Sequence, residues 1–491
     1  MVADKALVDI LPDDVAFEIL QTTYAHTRFP YCEEGLSRRH RARFPIAMSQ
    51  VSRRWRDLAL SLPCLWNCIH VCQRDDWSDS SGFVELYLSR SGQTPLSIEF
   101  ECQRGVVTSD DTFDVLDSDI EDSFSWCCGH IWNVLFEERL RWRHCVVKSF
   151  GAAHATSITD RMSGHVFPVL EHLQMPCSVP VVHTHTRPLE FTAPRLTLLR
   201  VDAYDYENGV FHSISLPLFA RLTTLELVHF MYEDPDPMDH FVGMLHSASA
   251  TLEVLILQHG YIILDTPSST LARLPPAFPR LACLVLQCIF EHAPPERSFA
   301  AALCLRAPVL ARLHVVGPEP SSVHTYLHDG VLAFPRVHAL RYAIPAGLRA
   351  SWPRFVAAFP RLQTLHVSSG DPAPLLAAVA TLGAPAWPDL RELVLLGAHE
   401  YAAVRFVQQR ARAGRTLERV GYAGWFGARA QEVFRALGVV YTPARETVAD
   451  GDDLTMDWVK HWLEVTGQLP RPPTRAISSP SGSVPVEILH L

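Results

Sequence analysis

The sequence predicts an α/β fold in which a small N-terminal helical module precedes a curved solenoid built on a parallel sheet. Three observations lead there. One leucine-spaced unit recurs every 25 to 30 residues or so between residues 167 and 425. Apolar residues alternate as in a strand within each unit, and the Ala- and Leu-rich stretches between units suit short helices. Ahead of this array, residues 7–72 carry apolar residues at helical spacing instead.

The unit is an aromatic or small residue, Pro, a polar residue, and then Leu-x-x-Leu-x-Leu. It begins at Phe167-Pro168 with Leu170, Leu173 and Met175, and continues at Pro194 with Leu196, Leu199 and Val201. The next units start at Leu222, Leu252, Leu281 and Leu310, then at Val337, Leu362, Leu390 and Leu417. Alternation makes x-Leu-x-Leu-x a short strand with its leucines inward, and stacked units place these strands in one parallel sheet. Proline cannot donate to the ladder and so suits the position just before the strand. Phe299 to Leu305 and Arg354 to Phe359 read as return helices on the convex side. This is the pattern of a leucine-rich repeat, except that the usual asparagine after the strand is missing, which leaves the turn geometry open.

The working surface of such an array is its concave face, read from the residue between the two inward leucines. In order these are Gln174, Arg200, Glu226, Ile256, Val285, His314, Arg341, His366, Val394 and Gly421. An apolar centre at Ile256 and Val285 with polar flanks matches the plan of a protein interface. Simple filling of a narrow arc is the other reading of those two residues.

In the N-terminal module, Pro12 with Asp13 and Asp14 after it suits a helix start, and Leu11, Val15 and Ile19 form one apolar face. A second helical pattern runs from Ile46 to Leu60, with Val51, Trp55, Leu58 and Leu62 in one stripe. Leu62-Pro63-Cys64-Leu65-Trp66 stops that helix, and a strand starts at Asn67 to Cys72.

These two segments resemble the F-box, the short module that docks a protein onto the Skp-type adaptor of a cullin–RING ubiquitin ligase. The resemblance rests on Leu11-Pro12-x-Asp14-Val15-x-x-x-Ile19-Leu20, on Val51-Ser52-Arg53-Arg54-Trp55-Arg56 and on Leu62-Pro63-x-Leu65-Trp66. The run from Glu85 to Ile98 is similar to the segment downstream of the F-box in many mushroom-type fungal proteins. The spacer at 21–43 departs from the family by being longer. By resemblance, Leu11, Pro12, Val15, Ile19, Val51, Trp55 and Leu58 contact the adaptor or lie directly beneath that interface. The alternative is that they are the core of a helical cap on the solenoid. Arg53, Arg54 and Arg56 read as a solvated face.

Residues 73–166 read as a linking region with degenerate repeat strands at Pro95 to Phe100 and Leu140 to Phe150, and with an acidic stretch from Ser109 to Ser123. That stretch fits no calcium-loop spacing and reads as solvated. Residues 426–466 read as a C-terminal cap with a helix at Leu454 to Val465, and 467–491 as a disordered tail.

A net charge of −10 opposes nucleic acid, and the arginines are scattered among carboxylates. No secretory signal opens the chain, and the apolar stretch Pro372 to Pro388 is too broken by Pro and Gly to span a membrane. Cysteines inside apolar runs and the absence of glycosylation acceptors point to the cytoplasm or nucleus. Neither a nucleophile elbow, a phosphate-binding loop nor a His-Glu-x-x-His pair occurs. Cys64, Cys68 and Cys72, Cys127-Cys128-Gly129-His130 and His183-Thr184-His185 read as structural or exposed, without metal or other cofactor. The expectation is a non-enzymatic substrate receptor, with the adaptor and its cullin on one side and an unidentified target protein on the other. An interaction scaffold unconnected to ubiquitin is the alternative.

Overall fold

A computed structural model of the chain describes residues 11–27, 43–73, 80–102, 129–149, 161–176, 190–202, 216–232, 235–262, 274–275, 277–291, 299–317, 322–344, 351–369, 371–383, 386–395, 400–423 and 426–444. The chain divides into two compact units, one of Met1–Ala47 with Thr447–Leu491 and one of Met48–Glu446.

In the first unit, α1 (Asp13–Thr27) starts directly after Pro12, whose carbonyl accepts the Ala16 N–H at 3.0 Å. Asp13 and Asp14 occupy the first turn, where carboxylates face the positive end of the helix dipole. Ala16, Leu20 and Tyr24 form its buried stripe, and the Tyr24 ring lies 5.8 Å from Phe44. Helix α2 (Phe44–Val51) straddles the division between the units.

The second helical pattern is not one helix. It breaks at Ser52, which is extended and caps α3 (Arg53–Ser61) by accepting the Trp55 N–H on its hydroxyl at 3.3 Å. Serine competes with the helix for its own backbone, so a break here costs little and the cap offsets it. A 3-10 turn, Pro63–Trp66, then ends α3 as the Pro63 signal predicts, and Trp66 Nε1 donates to the Ala59 carbonyl at 2.8 Å.

The second unit is built on a sheet of 14 parallel strands, mixed α/β and solenoid-like in its order. The strands are β1 (Cys68–Gln73), β2 (Leu96–Cys102), β3 (Trp142–Ser149), β4 (His172–Pro176), β5 (Leu198–Asp202), β6 (Thr224–Val228), β8 (Val254–Gln258), β10 (Cys283–Gln287), β12 (Arg312–Val316), β13 (Ala339–Ala343), β14 (Thr364–Ser369), β15 (Glu392–Leu395), β16 (Arg419–Ala423) and β17 (Val440–Ala444). They pair in chain order, so every connection returns to the same side and adds one strand. Each of the ten repeat units contributes one strand. The strands expected near Pro95 and Leu140 are β2 and β3, while β17 lies past the last unit that the spacing identifies.

Register places the second leucines in one row, from Ile69 and Ile98 through Leu199, Leu255 and Leu313 to Leu393 and Val420. Almost all are fully buried, and burying one such side chain stabilises by roughly 2 kcal/mol. An exposed cross-repeat pair such as Arg391–Glu418, at 3.4 Å, contributes about 1 kcal/mol at most, so the leucine rows hold the stack. Helices in the connections return the chain from one strand to the next: α4 (Ser80–Ser91), α5 (Pro235–Ala248), α6 (Phe299–Leu305), α7 (Ser322–Asp329), α8 (Trp352–Ala358), α9 (Ala373–Leu382), α10 (Glu400–Arg412) and α11 (Ala428–Ala436). Their rings reach the strand row, as where Phe355 lies 4.7 Å from Tyr342.

The opening of most units is a turn. The Leu N–H donates to the carbonyl three residues back, from Leu281 to Phe278 at 3.3 Å, Val337 to Phe334 at 3.2 Å and Leu362 to Phe359 at 3.3 Å. Proline takes the second turn position, where its fixed φ fits. The polar residue takes the third and is exposed at Arg280, Arg336 and Arg361.

The missing asparagine has a structural substitute in the middle units. His229, His259 and Cys288 come just after their strands with φ of 51°, 49° and 50°. This left-handed corner aims the N–H of His229 at the Gln258 carbonyl, 3.0 Å away, and that of His259 at the Gln287 carbonyl, 2.8 Å away. The chain then runs into a second small sheet of β7 (Met231–Tyr232), β9 (Tyr261–Ile262) and β11 (Phe290–Glu291).

Candidate functional site

Two surfaces hold the residues that the sequence nominates. On α1, Val15 is 40% exposed and Ile19 41%, although both are large apolar side chains. They lie four residues apart and so share a ridge, turned away from the buried stripe of Ala16, Leu20 and Tyr24. Pro12 is exposed beside them and Leu11 is half-buried. Val51, at the end of α2, is 54% exposed. Trp55 is buried and Leu58 half-buried, so the expected stripe is divided by the break at Ser52 into an exposed residue and core residues. Of the three arginines read as a solvated face, Arg53 and Arg56 are exposed and Arg54 is half-buried.

The second surface is the sheet face opposite the helices. The nominated row runs in register through Gln174, Arg200, Glu226, Ile256, Val285, His314, Arg341, His366, Val394 and Gly421. All of them share this face, but they do not form one open surface. Glu226, Ile256, Val285 and His314 have 1% exposure or less, and Arg341 has 7%. Strands β6, β8, β10 and β13 are buried at all five positions, so both of their faces are covered. Alternation tells which face a side chain takes and says nothing about whether that face is covered. Arg200, His366 and Val394 remain half-buried at the two ends.

Electrostatics divide the row. Toward the N-terminal strands, opposite charges meet at Lys148–Glu99, 3.3 Å, and Arg200–Glu226, 3.2 Å, and His70 Nε2 lies 3.7 Å from Glu101. Ser97 Oγ lies 2.8 Å from His144 Nδ1, and burial, then the charges of His144 and Arg200, pull the His172 pKa down to about 3. Across β12–β14 the charges share one sign. Burial lowers Arg312 and Arg341 to about 10, which leaves both cationic at neutral pH. His314 falls well below its ordinary range through burial and then through Arg341 and His366, so its imidazole is neutral.

Spacing of the leucines alone misses Arg336 and Arg361, which are exposed in the turns before β13 and β14. A signal for them exists in the repeated Pro-Arg pair at Pro194-Arg195, Pro279-Arg280, Pro335-Arg336 and Pro360-Arg361. Among the described residues, no group of three or more His, Cys, Asp or Glu side chains is placed to hold a metal ion. No described helix is long and apolar enough to cross a membrane. The acidic stretch at 109–123, Cys127-Cys128, His183 to His185 and the expected cap helix at 454–465 lie outside the described residues. Neither a protein-family model nor a curated protein matches this chain.

Proposed function

We propose that the chain is a substrate-receptor subunit of a Skp–cullin–F-box ubiquitin ligase. In this reading the N-terminal helical module docks the adaptor, the repeats bind a target protein, and the chain itself is not an enzyme. The observation that carries the reading is the exposed ridge of Pro12, Val15 and Ile19. A helix that already buries Ala16, Leu20 and Tyr24 has no folding reason to add a second apolar stripe, and such surface marks a partner site. Parallel strands stacked in chain order support the second half of the reading, because that architecture builds extended binding surfaces. Catalysis then belongs to partner subunits, and this chain contributes proximity.

Co-purification with a Skp-type adaptor tests the reading. The intact chain is expected to retain the adaptor, and Pro12→Glu with Val15→Glu is expected to lose it while melting at an unchanged temperature. An intact chain that never retains the adaptor would sink the proposal. It would leave an interaction scaffold unconnected to ubiquitin.

A further inference from the structure

The array repeats one turn position along an edge of the sheet, and the third residue of each turn is set by sequence alone. At several of these positions charge is absent or answered. Val169 and Val309 carry none, and Arg280 is ion-paired with Glu253. Arg336 and Arg361 differ. They occupy two successive turns, both are exposed, and neither guanidinium has a partner among the described residues.

Their surroundings add charge of the same sign. Arg312, half-buried one strand back at the start of β12, supplies that charge, while His338, half-buried two residues after Arg336, adds none at neutral pH. The positive field there is visible in His338, whose pKa is lowered by burial and then by the charge of Arg312. The nearest carboxylates in the neighbouring turn and strand are Asp389 and Glu392, of which Glu392 is engaged by Arg419 at 3.3 Å. Arg195 and Arg221 also sit in successive turns, but Glu171, Glu226 and Glu253 lie on the strands and turns around them. Among the described turns that open the repeats, those before β13 and β14 therefore carry successive unanswered positive charges, on a chain whose net charge is −10.

We infer that the edge of β12–β14, centred on Arg336 and Arg361, docks a carboxylate-rich extended segment of a partner protein. This deepens the reading of the repeats as the target-binding part and does not depend on the adaptor. Guanidinium matches carboxylate in a two-pronged geometry. Arg336 and Arg361 precede strands about 4.8 Å apart, and alternate side chains of an extended peptide are about 7 Å apart, a difference that the long arginine stems can span. A nucleic acid tracks a longer cationic path, and the chain's net charge opposes it.

Fluorescence anisotropy with the full chain and fluorescein-labelled hexaglutamate tests this, with hexalysine as control. Hexaglutamate is expected to bind, more weakly as salt rises, and about tenfold more weakly to Arg336→Glu with Arg361→Glu. Arg195→Glu is expected to bind as the unaltered chain does, and both of these variants should melt unchanged. Arg336→Gln with Arg361→Gln provides a milder second test in the same direction. No binding to the intact chain, or undiminished binding to both double variants, overturns the inference. So does displacement by an oligouridylate or by phosphatidylserine vesicles that bind more tightly than hexaglutamate. Adaptor retention by the same variants keeps the two proposals separable, since the α1 ridge is untouched.

Discussion

Gly260 illustrates how a single position can carry the packing between repeats. It comes directly after the left-handed His259, and a Cβ built on it would overlap the Phe230 ring of the preceding unit. Phe230 is itself buried and cannot swing away into solvent. Gly260→Ala is therefore expected to destabilise the fold by about 1–3 kcal/mol, read from urea unfolding. An unchanged midpoint would mean that Phe230 is free to move. His324 is the other telling residue: it is 1% exposed, and its Nε2 lies 3.2 Å from the Ala343 carbonyl. Burial, opposed by that bond and then assisted by His328, lowers its pKa to about 4 from the ordinary 6.5. The unfolded chain binds the proton first as pH falls, so the stabilisation is complete above about 6.5 and declines until about 4. The change is expected to reach about 3 kcal/mol from this residue, and His324→Leu should flatten the slope of stability against pH over that window. An identical slope in the variant would show that other groups carry the acid sensitivity.

At the scale of the element, the break between α2 and α3 changes what the helical module offers. As one helix, Val51 and Trp55 would lie on one face; as two, Val51 is exposed and Trp55 is core. Val51 and the apolar ridge of α1 belong to different compact units, and the adaptor test is accordingly aimed at α1. The turns before the strands repeat this lesson. Their closing hydrogen bond recurs in most units, while their third residue varies from Val to Arg to Asp, so recognition can change without disturbing the leucine rows.

At the scale of the molecule, the sheet grows strand by strand in chain order, so each unit is held chiefly by its neighbours. Burial is unequal along it. Strands β6, β8 and β10 are buried throughout, whereas β15 alternates and its first residue, Glu392, is half-buried. Amide exchange measured by mass spectrometry is expected to be slowest across Thr224–Val228, Val254–Gln258 and Cys283–Gln287, and measurably faster across Glu392–Leu395. Uniform exchange along the sheet would contradict a stack whose local stability tracks burial.

Legible in the sequence were the strand of every repeat unit, return helices from Phe299 and around Arg354, the start of α1 at Pro12 and the stop at Pro63. Each comes from local chemistry: alternation, helical spacing, or the missing N–H of proline. The sequence also determined that Ile256, Val285 and His314 share one face. Three features emerged in the folded chain: this face is covered at its centre, Ser52 divides a helix, and a left-handed corner replaces the absent asparagine in the middle units. Burial and corner geometry depend on which other parts of the chain come alongside, and periodicity within one unit does not encode that. Arg336 and Arg361 stand between the two cases. Their turn is legible in Phe-Pro-Arg, but the exposure of their guanidiniums, unpaired among the described residues, depends on which charges the neighbouring repeats place beside them.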